Sequence, residues 1–338
     1  LQRYPEWCNQ MTTVKEIANQ QEKKAVNLLH RTLDRTKALL KKFIVADEDV
    51  FNIFAVWIAN TYIYILFDYL AYLLIHSAER ESGKSTSLEW LSVLSHNPLL
   101  FSGTSASGLL RLGDELKPTL FIDEMDNIIK KGSTTPENQD ITGILNSGFK
   151  RIGGVYIKQI PIGNSWKPTP FTTYYPKAMA SIGVDLLHDT TRSRCIMIPM
   201  SRKTKEQSKG ILRNINRVKV TFNDEIQAIK DDFQTWANET KCSEVQVDLP
   251  MQLSDRAIDI YEPLLQIAYE AKGDWFEKVT ESAIHLSGTK DNTLETGTQL
   301  LIDVHDITKN MDMEDWISTT DLIDELCHER YADSGWST

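Results

Sequence analysis

Tyr69-Leu-Ala-Tyr-Leu-Leu-Ile-His-Ser-Ala-Glu-Arg-Glu-Ser-Gly-Lys-Ser-Thr86 reads as a strand, a tight turn and the start of a helix. The run 69–75 is apolar and bounded by turn-forming residues, the pattern of a strand buried on both faces of a parallel sheet. From Ser85 to about Ser95 the spacing is helical. The turn between them fits G-x-x-x-x-G-K-[ST], with Ala78 in place of the first glycine. Such a turn points successive backbone N–H groups inward, and the helix N-terminus adds positive potential, so phosphates are held there. Gly83 admits close backbone approach. Lys84 is placed to neutralise β/γ-phosphate oxygens, and the Ser85 hydroxyl to coordinate Mg²⁺. Ala78, Glu79, Arg80, Glu81, Ser82, Gly83, Lys84, Ser85 and Thr86 are therefore the predicted nucleotide contacts. A methyl group at Ala78 disfavours positive φ, so the turn is expected to begin differently from one with glycine there.

A second motif lies downstream. Thr119-Leu-Phe-Ile-Asp-Glu124 is an apolar strand ending in two acids, 39 residues beyond Lys84. Asp123 suits Mg²⁺ binding through water, and Glu124 suits polarisation of an attacking water. Each motif is common alone; in this order they predict hydrolysis of ATP with Mg²⁺. Adjacent acids fit water activation better than a small-molecule kinase, which needs a pocket for a second substrate.

Strands alternate with helices around these motifs: strand 99–101, a helix ending near Leu116, strand 119–122, then strands 177–182 and 195–198. That alternation predicts an α/β fold with a parallel sheet. Residues 155–160 and 171–175 read as a hairpin joined by a longer loop, Pro161 to Pro168. Val14 to about Ala46 reads as helix, Asp47-Glu-Asp49 as an acidic first turn opening another, and the pattern beyond Lys219 is mainly helical. Three parts are predicted: a helical N-terminal region over 1–68, a nucleotide-binding core over 69–220, and a helical lid or C-terminal domain over 221–338.

The 41% apolar and 25% charged content is that of an ordinary globular protein. Cys8, Cys195, Cys242 and Cys327 are scattered without metal-ligand spacing, as expected of reduced thiols in a cytoplasmic protein. No leader pattern is visible at the start. Residues 51–75 are apolar but interrupted by Asn52, Asn60 and Asp68. A spanning helix needs about 20 nearly uninterrupted apolar residues, so a buried helix followed by a buried strand is predicted, and no membrane contact. The net charge of −10 is unevenly spread: Ile141 to Lys219 holds fourteen Lys/Arg against three Asp/Glu, leaving 23 basic and 44 acidic residues elsewhere. Within that basic stretch, 141–184 has no acid and carries Lys150, Arg151, Lys158, Lys167 and Lys177. Phe149, Tyr156, Trp166, Phe171, Tyr174 and Tyr175 are interleaved with them. Cations that track a phosphate backbone and aromatic faces that stack on bases make Lys150, Arg151, Lys158, Trp166 and Lys167 the predicted nucleic-acid contacts. The other reading keeps the aromatics as hairpin core.

Thr190-Thr-Arg-Ser-Arg-Cys-Ile196 lies where a ring-forming ATPase would carry an arginine that completes a neighbouring subunit's site, with Arg194 favoured over Arg192. Asn146 and Ser181 compete as the polar residue that senses the γ-phosphate. Arg256 is predicted to reach back to the phosphates from the C-terminal helices.

The ordered set ESGKSTSLEWL, LKPTLFIDEMD, ILNSGFKRIGG, PKAMASIG, TTRSRCIMIPMSRKT and LSDRAIDIYEPLLQIA resembles a P-loop family of phages, prophages and other mobile elements. That family is known largely as a domain of unknown function, often attached to primase modules. The similarity runs from about Asp47 to Trp336, and the first loop glycine is commonly missing in the family. The resemblance implies a helicase-like ATPase of the additional-strand class, ring-forming and by analogy a hexamer, working on single-stranded or forked DNA with a primase or replication partner. Lys84 and Ser85 would bind nucleotide, Asp123 and Glu124 would bind metal and activate water, and Arg194 would be the finger. The chain shows no primase or zinc module. An ATP-dependent regulatory or defence switch that moves no strand is the alternative.

Overall fold

The computed structural model describes residues 27–79, 81–129, 135–163, 165–184, 187–202, 204, 206–207, 210–212, 220–308 and 317–326. Five strands form one parallel sheet: β1 (Tyr72–Ser77), β2 (Pro98–Phe101), β3 (Thr119–Ile122), β6 (Lys177–Ile182) and β7 (Cys195–Pro199). Their spatial order is β2-β3-β6-β1-β7, with β6 inserted between β1 and β3. β1 and β3 are buried at almost every position, the apolar runs that the sequence showed.

Helix α1 (Leu28–Lys41) is capped by the Asn27 side chain, which accepts the His30 N–H. Helix α2 (Glu48–Ile63) is apolar all round and buries thirteen of its sixteen residues, so it is a core helix. By length and composition 48–66 could cross a membrane, but 78% of the span is enclosed by the protein. Its Trp57 donates to the Ala71 carbonyl at 2.7 Å and meets Phe121 edge-on, which fixes α2 against the sheet. α3 (Lys84–Leu94), α4 (Ala106–Leu116), the short α5 (Met125–Ile128), α6 (Pro136–Ser147) and the short α7 (Asp189–Arg192) lie in the segments connecting the strands. Beyond β7 come α8 (Asn223–Glu239), α9 (Asp255–Ala271), α10 (Trp275–Thr308) and α11 (Thr319–Leu326).

α8 and α9 pack on α1 and α2. The helices before and after the sheet therefore form one body, and the predicted boundaries at 68 and 220 do not divide it. The chain separates instead at Leu286/Ser287, within α10. The second unit holds the rest of α10 and α11, the latter matching the helical pattern around Thr319.

The hairpin differs from its predicted form. β4 (Val155–Ile162) and β5 (Ser165–Thr172) pair without interruption to Ile162↔Ser165, so the connection is a tight turn and the prolines lie inside the strands. Pro161, Pro168 and Pro170 fall in alternate pairs, opposite Trp166, Gln159 and Ile157. Proline has no N–H to give a ladder, so these are the pairs whose N–H groups would point away from the partner strand.

At the start of β6, Lys177 is fully buried. Its ammonium donates to the carbonyls of Thr173 at 2.8 Å and Tyr175 at 3.0 Å and to the Tyr72 hydroxyl at 3.3 Å, between the rings of Tyr72 and Tyr175. No acid partners it among the described residues, and burial pulls its pKa well below the usual lysine value. Gly148 leaves this site room, since a Cβ there would stand 2.1 Å from the Thr173 carbonyl.

Candidate functional site

The two motifs meet at the C-terminal ends of β1, β3 and β6. An open cleft of about 520 Å³ is lined by Glu81, Lys84 and Ser85 from the loop after β1, and by Asp123, Glu124, Asp126 and Asn127 from the turn after β3. Ala180, Ser181 and Ile182 at the end of β6 complete it. Crevices at the carboxyl ends of parallel strands are the usual ligand sites of open α/β sheets.

The loop owes its shape to two residues with positive φ, Glu81 (60°) and Gly83 (90°). Ala78 has neither conformation, so its methyl group meets no backbone conflict. At Gly83 conformation, not space, calls for glycine: an added Cβ would meet only the Met200 methyl at 3.7 Å. Gly83 precedes the first turn of α3, so Lys84 and Ser85 open that helix. The Lys84 ammonium donates to the Glu79 carbonyl at 2.9 Å and the Ser82 hydroxyl at 3.2 Å. Its pKa is lowered, mainly by burial, against the opposing pull of Asp126 and Asp123. Thr86, Ser82 and Gly83 face the other side of the loop, a water-sized recess shared with Phe43, Val45 and Met200. Arg80 lies outside the described residues.

Glu124 follows the strand in a left-handed conformation (φ 51°) and is exposed to the cleft. Its neighbour Asp123 accepts the Glu124 N–H at 2.9 Å. Ser85 and Asp123 both line the cleft, and no group of three or more His, Cys, Asp or Glu able to hold a metal occurs among the described residues. A divalent ion of the Mg²⁺ type takes one or two protein ligands together with substrate phosphates, so this sparse pair fits it. When bound, the ion would draw electron density from the phosphoryl oxygens.

Of the two candidate sensors, Ser181 lines the cleft, its hydroxyl bonded to the Gly183 carbonyl at 2.6 Å. Asn146 does not reach it. The end of α6 packs on α7, where the Asn146 amide donates to the Thr190 hydroxyl and accepts from that of Thr191. Arg256 is also elsewhere: α9 packs on α1 and α2 and begins beside Phe149, over which the Arg256 guanidinium sits at 5.3 Å. Arg194 covers the same ring at 5.5 Å and bonds the Thr190 carbonyl. Its own carbonyl accepts from the Tyr72 N–H at the start of β1. β1 has six residues, so Arg194 and Arg256 sit about 20 Å along the strand from the phosphate loop. Burial and the proximity of Arg256 lower the Arg194 pKa. Arg192 pairs with Asp189 at 2.8 Å.

Most of the aromatics in 149–175 pack into the body of the protein, Phe149 against Tyr69 and Tyr72 and Tyr174 against Tyr64. Phe149, Phe171, Tyr174 and Tyr175 are buried, and Tyr156 donates to Asp140. Lys158 pairs with Asp140 at 2.7 Å and Arg151 with Asp68 at 2.7 Å, so neither is a free cation. Lys150 lies 5.3 Å over the Tyr69 ring. Trp166, 68% exposed, and the exposed Lys167 at the ribbon tip are what remains for a ligand. Base stacking on an exposed ring contributes about 1–3 kcal/mol. Trp166→Ala with Lys167→Ala is therefore expected to weaken binding of a labelled single strand by about tenfold or more at low salt, with thermal stability unchanged. Equal binding by the double variant would remove the ribbon tip from consideration.

Asp126 and Asn127 were not singled out by the sequence. The signal was present as the two polar residues in Asp123-Glu-Met-Asp-Asn127.

Residues 200–338 match a family described as a protein of unknown function, DUF3631. The matched segment begins at the end of β7, and so contains neither the phosphate loop nor the acidic turn. No curated protein matches the chain.

Proposed function

We propose that this chain is a P-loop ATPase of the additional-strand class, in which β6 is the strand inserted between the loop strand and the acidic strand. The observation that carries this reading is the convergence of Lys84, Ser85, Asp123 and Glu124 on one cleft from two separate strand ends. Lys84 would hold the β/γ-phosphates, with the N–H groups opening α3 beneath them. Ser85 and Asp123 would hold Mg²⁺. Glu124 would orient a water whose oxygen bonds to the γ-phosphorus as the bond to the ADP oxygen breaks, with one water proton taken up by the carboxylate. Ser181, which lines the cleft, would meet the γ-phosphate.

Arg194 lies at the far end of β1 from the cleft of its own chain, so a part in hydrolysis would have to be played at a neighbour's cleft. Phosphate release from ATP by the full chain tests the hydrolytic reading. Mixing an Arg194→Ala chain with a Glu124→Gln chain tests the shared site. Mixed subunits are expected to recover activity that neither variant shows alone, because an intact finger then faces an intact Glu124. Absence of recovery, with wild type active, would argue against action across subunits.

Coupling to nucleic acid, as a ring-forming DNA helicase or translocase, is supported by the concentration of basic charge in 141–219 and by Trp166 and Lys167 at an exposed tip. The internal use of Lys158, Arg151 and the buried aromatics Phe149, Phe171, Tyr174 and Tyr175 favours the second reading, an ATP-dependent switch that moves no strand. Stimulation of phosphate release by single-stranded DNA separates the two.

A further inference from the structure

We infer that Asp126 and Asn127 are positioning residues that bracket the Glu124 carboxylate against the end of β6. The inference rests on the reading of Glu124 as the group that orients water. Glu124 is exposed, and its backbone (φ 51°, ψ 53°) is one that non-glycine residues adopt at a cost of about 1–3 kcal/mol. Such a conformation persists only where its surroundings enforce it.

The enforcing contacts come from the turn itself and from the end of β6. The Asn127 N–H donates to the Glu124 carbonyl at 2.8 Å, closing the turn. The Asn127 side-chain Nδ2 donates to Glu124 Oε2 at 2.7 Å. Asp126 Oδ1 accepts the Ile182 N–H at 3.0 Å and so ties the turn to the last residue of β6, beside Ser181. Asp123 Oδ1 takes the Glu124 N–H on the other side.

The chemistry of this arrangement suits a base that must stay charged. The Asn127 amide is neutral, so it orients the carboxylate without cancelling its charge, as a lysine would. It engages one oxygen and leaves Oε1 for a water. The Asp126 bond makes the position of that carboxylate depend on where β6 ends, the strand that also carries Ser181. A water-orienting group and a phosphate-sensing group would then move as one piece. Displacement of a reacting group by about 1 Å costs on the order of 10²-fold in rate, which gives the bracket its value.

The full-length chain with Asn127→Ala or Asp126→Ala is expected to lose about 10–100-fold in kcat. KM and the affinity for a fluorescent ATP analogue stay at wild-type values in Asn127→Ala, and Asp126→Ala, which removes one carboxylate from the cleft, binds the analogue no more weakly than wild type. Asp126→Asn keeps the Oδ1 acceptor and is expected to recover most of the rate lost in Asp126→Ala. Exchange of the Ile182 backbone amide, read by NMR without nucleotide, should be faster in Asp126→Ala and slow in Asp126→Asn. Unchanged kcat in both alanine variants, with wild type active, overturns the bracket alone. So does a loss that appears equally in KM and in the melting temperature. A wild-type chain that binds the analogue yet releases no phosphate overturns the hydrolytic reading and the bracket with it.

Discussion

Lys84→Ala is expected to abolish phosphate release and to weaken binding of a fluorescent ATP analogue at least tenfold. The loss follows from where the ammonium lies. Among the described residues lining the cleft it is the one cation, in company with Glu81, Asp123, Glu124 and Asp126. Glu81 is already paired with Arg202 at 3.3 Å, so a polyphosphate entering that cleft would meet the carboxylates of Asp123, Glu124 and Asp126, with Lys84 set against them. Charge-assisted hydrogen bonds of this type contribute about 1.5–3 kcal/mol each, or tenfold and more in affinity. The rate is expected to fall further, because in the proposed reaction the same ammonium would meet charge that develops on the phosphoryl oxygens as the bond breaks. Lys84→Arg keeps the charge but replaces a compact ammonium with a planar fork, and is expected to restore binding better than turnover. An alanine variant that binds and hydrolyses like wild type would remove the loop from the site.

Lys177→Ala is expected to have the largest effect on stability, about 3–5 kcal/mol, read from the shift in urea midpoint. Its ammonium satisfies the Thr173 and Tyr175 carbonyls inside the protein, and a buried acceptor left without a donor costs about 1–3 kcal/mol. Truncation also leaves a cavity between the Tyr72 and Tyr175 rings. Working against these losses, burying a charge without an acid is itself costly. Lys177→Met, which keeps the volume and removes the charge, should therefore be less destabilised than Lys177→Ala. Domains typically hold only about 5–15 kcal/mol in total, so the alanine chain is expected to be partly unfolded at physiological temperature. Equal midpoints for wild type and Lys177→Ala would show that these bonds contribute nothing net.

The sheet was legible because parallel strands are written as continuous apolar runs. Residues 119–122 and 177–182 were read to the residue, and the loop after β1 carried its glycine and lysine in order. The four groups predicted to share a site do line one cleft. What could not be read depends on packing between distant segments. Asn146 and Arg256 are polar residues on helices whose faces are chosen by α7 and by Phe149, and nothing local says so. The aromatics of 149–175 look the same in sequence whether they stack on bases or pack into the core; the fold buries four of them, half-covers Tyr156 and leaves Trp166 exposed. The prolines of the hairpin suggested a loop because proline usually breaks strands, and only the pairing shows that they occupy positions where no ladder bond is lost. Asp126 and Asn127 escaped attention because polar residues after an acidic strand end read as an ordinary turn.

Those prolines have a consequence for assembly. A two-stranded ribbon has two free edges, and an open edge is a template for pairing with another chain. If subunits gather around a common axis, their ribbons are held close together, at an effective concentration that favours edge-to-edge zipping. With Pro161 on one edge and Pro168 and Pro170 on the other, neither edge offers a full row of donors. Neighbouring ribbons would stay separate fingers, each free to take its own position.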